Sequence, residues 1–399
     1  MPTPQLPIRK PRAKGGTRSR TSPPRSESSD RQAQRPPDRI EELPDATWRR
    51  AFRRRLIAWY RRHRRDLPWR ASNDPYRVWV SEIMLQQTQV ATVEGYFRRF
   101  IDRFPDLHAL AEAPESEVLR QWEGLGYYRR ARQLHRAAQL IVRDLGGEFP
   151  QDPAVIQTLP GIGRYTAGAI ASIAFDARAP ILEANTIRLY SRLLGYFGET
   201  HKASGQQLLW AFAAAVLPAK GCGELNQAMM ELGSSLCTSR APQCLHCPVG
   251  QLCPAQANGW QKSIPAEKIK INYQDRTEVA VVIHRRGRVL LRQCLPHERW
   301  AGLWDFPRYA VADDAEIEPT LAARIQQLVG VRIREPRRMT VMKHGVTRFR
   351  ITLACFAADC ESAERSRQQK LTWVKPAELE QYPLSVTGRR LARLIAASP

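Results

Sequence analysis

Four cysteines lie within 17 consecutive positions of this 399-residue chain, separated by six, two and five residues. They are Cys237, Cys244, Cys247 and Cys253. Thiolates at such close spacing can bind zinc or an iron–sulfur cluster. Structural zinc sites usually have two cysteine pairs separated by a longer loop, which this compact run lacks. The spacing therefore favours an iron–sulfur cluster over zinc and over four unrelated buried thiols.

The segment Leu159-Pro160-Gly161-Ile162-Gly163 has helical sequence on both sides. Its two glycines, Gly161 and Gly163, allow a tight hairpin whose backbone N–H groups and following helix N-terminus face outward. That geometry suits a phosphate oxygen and does not read base sequence. Taken alone, such a turn is also an ordinary connection between two helices.

Glu82 is the only carboxylate between Pro75 and Val93, and Ile83, Met84 and Leu85 follow it directly. Burial of a lone acid on an apolar helix raises its pKa unless hydrogen bonds stabilise the charge. An acid that keeps its proton near neutral pH can donate it to a poor leaving group. A structural glutamate satisfied by its neighbours is the alternative interpretation.

The elements that position these residues fall into two regions. From about Thr47 to Gly259, apolar residues recur at spacings of three and four, which predicts an all-helical domain over 46–259. Residues 260–276 form a polar linker without clear periodicity. After it, strands are predicted at Val279–Ile283 and Val289–Leu291, joined by a hairpin, and at Phe349–Phe356. With a helix from Leu321 to Val329, residues 277–399 are predicted to form a smaller α+β domain.

Composition limits the classes of protein and of partner. Hydrophobic residues make up 43% of the chain, but no apolar run approaches the roughly 20 residues that span a bilayer, so we expect no membrane partner. Residues 1–45 are rich in Pro, Arg and Ser, which predicts a disordered basic tail. A few clustered cysteines indicate a metal site in a reducing compartment, hence a cytoplasmic location.

The net charge of +23 points to a polyanionic partner. Nine of the 17 residues from Arg49 to Arg65 are arginine and none is acidic. Either a solvated helix face or a surface that meets nucleic acid explains this run.

Together, the hairpin and the cysteine run resemble the helix–hairpin–helix DNA glycosylases that include endonuclease III. Within that superfamily, residues 66–260 resemble the MutY family of adenine DNA glycosylases. The matching segments are Pro68-Trp69-Arg70, Ser81–Val90, Gly124-Leu125-Gly126-Tyr127-Tyr128 and Asn226–Gly233. The resemblance implies removal of adenine from DNA and a [4Fe-4S] cluster held by the four cysteines.

The resemblance also implies catalytic roles. In the family the residue at Glu82 protonates the departing base. At the position of Tyr165, endonuclease III-like enzymes that cleave the strand have a lysine nucleophile, and a tyrosine cannot form an imine. The chain is therefore expected to be monofunctional and to use water.

Glu183 departs from the family pattern, which has an aspartate there. Its carboxylate is expected to stabilise positive charge on the sugar, although the extra methylene requires the backbone or rotamer to compensate. Ala184 replaces a family glycine, whereas Asn185 matches and is expected to cap the helix that follows.

The DNA-binding residues come from the same resemblance. Gln87 and Tyr127 are expected to wedge into the duplex beside the oxidised guanine, with Leu85 and Thr88 nearby. Arg70 and Glu231 are expected to line the adenine pocket.

Residues 277–399 resemble the Nudix-like module with which that family ends. A catalytic Nudix domain carries several glutamates on one helix to hold magnesium, and the stretch from Leu321 to Arg334, taken as that helix, has no carboxylate. Lesion recognition is the remaining role. The family's Phe-Ser-His tip aligns with Val346-Thr347-Arg348, in which Thr347 keeps a hydroxyl donor.

The sequence thus predicts a monomeric, nucleoid-associated repair enzyme that acts on double-stranded DNA containing adenine opposite 8-oxoguanine or guanine. One alternative is an endonuclease III-like glycosylase and lyase with another mismatch specificity. The other is a catalytically inactive DNA-binding iron–sulfur protein.

Overall fold

The computed structural model describes residues 43–266, 272–312, 315, 317–364 and 370–397. The predicted tail over 1–45 lies outside the described residues except for 43–45, so its disorder stays a prediction. The part before residue 267 is helical, as the sequence predicts. Its α-helices are α1 Ala46–His63, α2 Pro75–Leu85, α3 Val90–Arg103, α4 Leu107–Glu112, α5 Glu115–Gln121, α6 Arg129–Asp144, α7 Pro153–Thr158, α8 Arg164–Phe175, α9 Ala184–Leu194, α10 Ala203–Val216, α11 Cys222–Ser235 and α12 Pro254–Ala257.

Aspartates mark the start of several of these helices. The carboxylates of Asp45, Asp74, Asp106 and Asp152 each accept a backbone N–H from the first turn of the helix that follows. Those N–H groups have no partner inside the helix, so the caps stabilise the helix starts.

The arginine-rich segment lies on α1 and largely binds the protein itself. The guanidinium of Arg53 donates to the carbonyls of residues 215–217 at the end of α10. Arg61 pairs with Glu224, and Arg65 pairs with Glu231 at 2.7 Å. Part of this basic run therefore anchors α1 onto α10 and α11, an explanation that neither sequence interpretation included.

The remaining elements form one seven-stranded mixed sheet, in the part of the chain that the structure describes, with a helix on each face. They are β1 Gln274–Arg285, β2 Arg288–Gln293, β3 Trp304–Asp305, β4 Arg308–Val311, α13 Ile317–Val329, β5 Val331–Val346, β6 Phe349–Ala363, β7 Leu371–Val374 and α14 Val386–Ala397. The strand order is β3-β2-β1-β6-β5, with β4 paired to β1 and β7 to β2. β1 and β6 are parallel, and the other pairs are antiparallel.

The β1–β2 hairpin and the strand from Phe349 confirm the predicted elements. Successive side chains of β1 alternate between the two faces of the sheet, and each face is covered by a helix, so both sets of side chains are buried. Val279, Val281 and Ile283 pack in the cluster that contains α13, whereas Ala280 and Val282 pack in the cluster that contains α14.

Two sequence predictions are corrected here. The predicted helix end at Val329 is confirmed, but the carboxylate-free stretch to Arg334 is not all helical, because Gly330 adopts a φ of +69° and β5 begins at Val331. The helix also begins early enough to include Glu318, a single carboxylate rather than none. β1 begins at Gln274, inside the predicted linker.

Buried ion pairs join the helical part to the sheet part. The guanidinium of Arg389 on α14 binds both carboxylate oxygens of Glu123, at 2.5 and 3.0 Å, and each of these side chains is 8% exposed. Glu123 also accepts the backbone N–H of Leu384. Leu303, which precedes β3, packs in the core of the helical part. Among the described residues, every helix is too short or too polar to span a lipid bilayer.

Candidate active site

The hairpin between α7 and α8 fixes the start of α8. Gly161 has a φ of +79°, and a Cβ at this position would lie 2.6 Å from the Cβ of Gln133 on α6. Gly163 caps α8 with extended backbone, which leaves Tyr165 in the first turn of the helix. Gly161 therefore lets the hairpin lie close to α6. The contact of the two glycines with a DNA phosphate stays a prediction.

Tyr165 meets Glu82 across the gap between α8 and α2. Its hydroxyl donates a hydrogen bond of 2.6 Å to Glu82 Oε2, and Glu82 is 6% exposed. Burial raises the pKa of Glu82 to about 7, against the effect of the Tyr165 hydrogen bond and with a contribution from the negative charge of Glu183. Burial, followed by the charge of Glu82, raises the pKa of Tyr165 far above its ordinary value. Glu82 is therefore a proton donor available near neutral pH.

Glu183 caps α9 with its own side chain. Its Oε2 accepts the backbone N–H of Asn185 at 2.8 Å, and its Oε1 accepts that of Thr186 at 2.9 Å. The Thr186 hydroxyl in turn accepts the backbone N–H of Glu183. Burial raises the pKa of Glu183, but these N–H donors and the helix N-terminus favour the anion. The extra methylene is accommodated because the side chain folds back over the first turn.

The prediction that Asn185 caps this helix was wrong. Asn185 lies inside the first turn, because α9 already begins at Ala184. Its side-chain amide donates to Glu183 Oε2 at 3.2 Å, and its Oδ1 accepts from Arg188 at 2.9 Å. Asn185 therefore orients the Glu183 carboxylate instead of replacing it as the cap.

Glu231 on α11 is 1% exposed and is neutralised by two arginines. Arg65 binds it at 2.7 Å and Arg70 at 2.8 Å. Burial alone would raise the pKa of Glu231, but the hydrogen bonds and charges of Arg65 and Arg70 hold it below the ordinary value. At a pH at which Glu82 keeps its proton, Glu231 is therefore ionised.

These residues surround one cavity of about 540 Å³, here called the carboxylate cavity. The residues predicted from sequence that line it are Arg70, Glu82, Leu85, Gln87, Thr88, Gly163, Tyr165, Glu183, Asn185 and Glu231. A second cavity of about 880 Å³, the helix–sheet cavity, lies between α6 and β5 and contains Gln87, Tyr127, Gly161 and Thr347. Gln86 and Gln87 belong to both walls, so the two cavities adjoin.

Three of the predicted DNA-contacting residues have left-handed backbone. The φ angles are 58° at Gln87, 51° at Tyr127 and 52° at Thr347. Such angles are costly for residues other than glycine and often occur at functional sites. All three line the helix–sheet cavity, and Tyr127 is 48% exposed.

The four clustered cysteines line a separate small cavity, and none of them forms a disulfide. Arg192 on α9 donates to Cys237 Sγ at 3.3 Å. Burial raises the pKa of the Cys247 thiol to about 12, so its thiolate needs cationic partners. Among the described residues, no three metal-binding side chains converge on a point that would hold an ion. Four thiols around a common space are soft donors that suit a thiolate-bound metal centre.

Sequence reasoning did not single out Arg65, Met230 or Arg130. Arg65 was hidden in the arginine run, and the Met230 sulfur lies 3.3 Å from the Tyr165 hydroxyl. Arg130 lines the helix–sheet cavity and follows Gly124–Tyr128 without a motif of its own.

Comparison with known proteins agrees with this geometry. Residues 80–213 match the HhH-GPD superfamily of base excision DNA repair proteins, and residues 278–394 match the NUDIX domain. The adenine DNA glycosylase of Rattus norvegicus is 39% identical over 280 residues, which cover 68% of this chain and 53% of the relative. That of Buchnera aphidicola subsp. Acyrthosiphon pisum is 36% identical over 267 residues, 67% of this chain and 76% of the relative. The chain thus spans about half the length of the rat relative.

One solved structure similar to part of this chain is that of a thermostable thymine-DNA glycosylase. It is 29% identical, with a TM-score of 0.49, and the match covers 53% of this chain and 99% of that chain.

Replacing Glu82 with glutamine should change stability in a pH-dependent way. In the unfolded chain the carboxyl ionises near its ordinary value of 4.5, whereas in the folded protein it ionises at about 7. As pH rises between those values, the free energy of unfolding of wild type therefore falls relative to that of Glu82→Gln, by on the order of 3 kcal/mol. Above about pH 7 the difference between the two proteins stays constant. Urea unfolding at several pH values measures this. A difference independent of pH would show that the pKa of Glu82 is ordinary.

Proposed function

Because the chain belongs to the adenine DNA glycosylase family, we propose that it hydrolyses the N-glycosidic bond of adenine in double-stranded DNA, where adenine lies opposite 8-oxoguanine or guanine. The observation that carries the proposal is the carboxylate cavity. Glu82, whose pKa burial raises to about 7, and Glu183, whose carboxylate accepts two backbone N–H groups, line a space of about 540 Å³ that can take a purine.

The two carboxylates have different roles in bond cleavage. Protonated Glu82 gives its proton to a ring nitrogen of adenine, and the bond from the base to C1′ breaks with its electron pair leaving on the base. Positive charge then develops on the sugar, where the Glu183 carboxylate stabilises it. Water adds to C1′ and loses a proton to the Glu82 carboxylate, which restores the acid.

The absence of a nearby amine supports the use of water. No lysine lines the carboxylate cavity, whose walls lie wholly within the described residues, and Tyr165 occupies the family's lysine position. The phenol donates to Glu82 instead, so it orients the acid. A monofunctional reaction leaves the strand intact at the abasic site.

Access to the cavity requires that adenine leave the base stack. Gln87 lies where the carboxylate cavity adjoins the helix–sheet cavity, and Tyr127 lines the helix–sheet cavity, so the two side chains can fill the space that the base vacates. Wedges of this kind offset part of the few kcal/mol lost on unstacking.

The helix–sheet cavity is the proposed site for 8-oxoguanine. The hydroxyl of Thr347 donates to the Val346 carbonyl at 2.7 Å, which leaves the lone pairs of its oxygen to accept a hydrogen bond from the base. 8-Oxoguanine carries an N7–H that guanine lacks, and an acceptor oxygen distinguishes the two. The α13 helix, with Glu318 as its one acid, offers no set of magnesium ligands, which supports recognition rather than hydrolysis.

We further propose that Cys237, Cys244, Cys247 and Cys253 hold a [4Fe-4S] cluster. The cluster would supply a rigid cross-link for the loop over 237–253. Arg192 links this loop to α9, the helix that Glu183 caps.

A single-turnover assay tests the proposed activity. Wild type should release adenine from duplexes with 8-oxoguanine or guanine opposite adenine, and the product strand should break only on alkaline treatment. Glu82→Gln should lose about two to four powers of ten in rate, the usual contribution of a positioned acid. Efficient borohydride trapping of a covalent complex would instead indicate a lyase, and no base release would indicate an inactive DNA-binding protein.

Variants of Glu183 separate its charge from its length. Glu183→Gln should lower the single-turnover rate by about two to three powers of ten with DNA affinity nearly unchanged, because one preorganised charge is lost. Glu183→Asp should keep much of the activity, since aspartate retains the charge and is a good helix cap. Equal rates for Glu183→Gln and wild type would exclude Glu183 as the electrostatic partner.

Metal analysis tests the cluster. Purified protein should be brown and contain about four iron atoms per chain. Cys244→Ser should lower the iron content, whereas Cys360→Ser, whose thiol lies on β6 away from the cysteine-lined cavity, should not. One zinc per chain without visible absorption would contradict the proposal.

A further inference from the structure

Arg130, at the start of α6, binds two separate turns with one guanidinium group. Its Nη1 donates to the carbonyls of Ile83, Met84 and Gln86, at 2.8, 3.0 and 2.5 Å, where α2 ends. Its Nη2 donates to the carbonyls of Leu125 and Gly126, at 3.4 and 3.2 Å, and to the Thr88 hydroxyl at 3.3 Å. The guanidinium also lies over the rings of Trp122 and Tyr127, at 5.4 and 5.5 Å from their centroids.

Two of these carbonyls precede the strained residues directly. The peptide group of Gln86 precedes Gln87, and that of Gly126 precedes Tyr127. A residue's φ is the rotation of its preceding peptide group, so a hydrogen bond to that carbonyl restrains φ. Both residues have left-handed φ, which costs a non-glycine residue about 1 kcal/mol or more. Arg130 therefore restrains both angles at once.

The position of Arg130 favours this role over a direct contact with DNA phosphate. Both of its terminal nitrogens are already directed at protein carbonyls. The guanidinium is partly buried, and this desolvation lowers its pKa to about 10. Six acceptors from two turns need the planar fork of arginine, which a lysine ammonium does not provide.

We propose that Arg130 is a positioning residue that holds Gln87 and Tyr127 as a preformed pair of wedges, so that extrusion of adenine does not have to order them. The inference rests on the proposed glycosylase function, because the wedges act only on a DNA duplex. Without Arg130, both turns can relax to ordinary φ values, and the side chains lose their common position.

The test combines single-turnover kinetics with a signal for base extrusion. Arg130→Gln should release adenine about 100-fold more slowly than wild type, the effect of an error of about 1 Å in position. In a Glu82→Gln background, which prevents cleavage, the same change should reduce the fluorescence rise of 2-aminopurine placed beside the target adenine. Arg136→Gln is the control, since it removes the same charge from an exposed position on α6.

A coupling experiment distinguishes positioning from general loss of structure. If Arg130 acts through the wedges, Arg130→Gln should slow the Gln87→Ala/Tyr127→Ala double variant by less than about threefold, because residues in one unit are not additive. If Arg130→Gln slows the double variant as much as it slows wild type, the inference is overturned. A native rate and fluorescence rise for Arg130→Gln would also overturn it. Failure of wild type itself to release adenine would instead refute the proposed function.

Thermal unfolding shows whether Arg130→Gln folds. If Arg130→Gln does not fold, Arg130→Lys takes its place, because it keeps the charge but cannot reach both turns. It should be at least about tenfold slower than wild type, as expected for imperfect positioning. A native rate and fluorescence rise for Arg130→Lys would equally overturn the inference.

Discussion

The burial of Glu82 and Glu183 in one cavity, without the arginine partners that neutralise Glu231, is the constraint on which the rest of the site depends. Like charges in a desolvated space cannot both form at low cost, so one group keeps a proton. Hydrogen-bond donors decide which one. Glu183 accepts N–H groups from Asn185 and Thr186 at the N-terminus of α9, whereas Glu82 accepts one hydrogen bond, from Tyr165. The negative charge therefore belongs to Glu183 and the proton to Glu82. Base removal needs this division into an acid and an electrostatic stabiliser.

The surrounding fold maintains this asymmetry through the helices that carry the two groups. The hairpin glycine Gly161 lets the hairpin lie against α6, and α8, which begins directly after the hairpin, packs against α2, so that Tyr165 meets Glu82. The other end of α9 is held by the cysteine loop, because Arg192 donates to the carbonyls of residues 237 and 238 and to Cys237 Sγ. Arg188 reaches from the carbonyl of Cys237 to Asn185, which binds Glu183. The loop that would hold the cluster is thereby connected mechanically to the carboxylate.

Sequence predicted the parts of the site whose signals are local. The isolation of Glu82 among apolar residues, the cysteine spacing and the hairpin glycines each lie within one short segment. The cap of α9 was assigned to the wrong residue, because glutamate is an uncommon cap and only the backbone shows that its side chain folds back. The end of α13 at Val329 was predicted correctly, and Gly330 is the helix-terminating residue that explains it. The roles of Arg65 and Arg130 could not be predicted from the sequence, because their partners are carbonyls and carboxylates that lie far away in sequence or in separate turns.

Infrared titration of the carboxyl groups tests the central claim most directly. A protonated carboxylic acid has a C=O stretching band that an ionised carboxylate lacks, and the difference between wild type and Glu82→Gln isolates the band of Glu82. The account predicts that this band is present at about pH 5 and disappears with a midpoint of about 7, while Glu183→Gln shifts the midpoint downward by removing a neighbouring charge. A band that is already absent at about pH 5, near the ordinary pKa of glutamate, would show that Glu82 is ionised, and the proposed division of roles would be wrong.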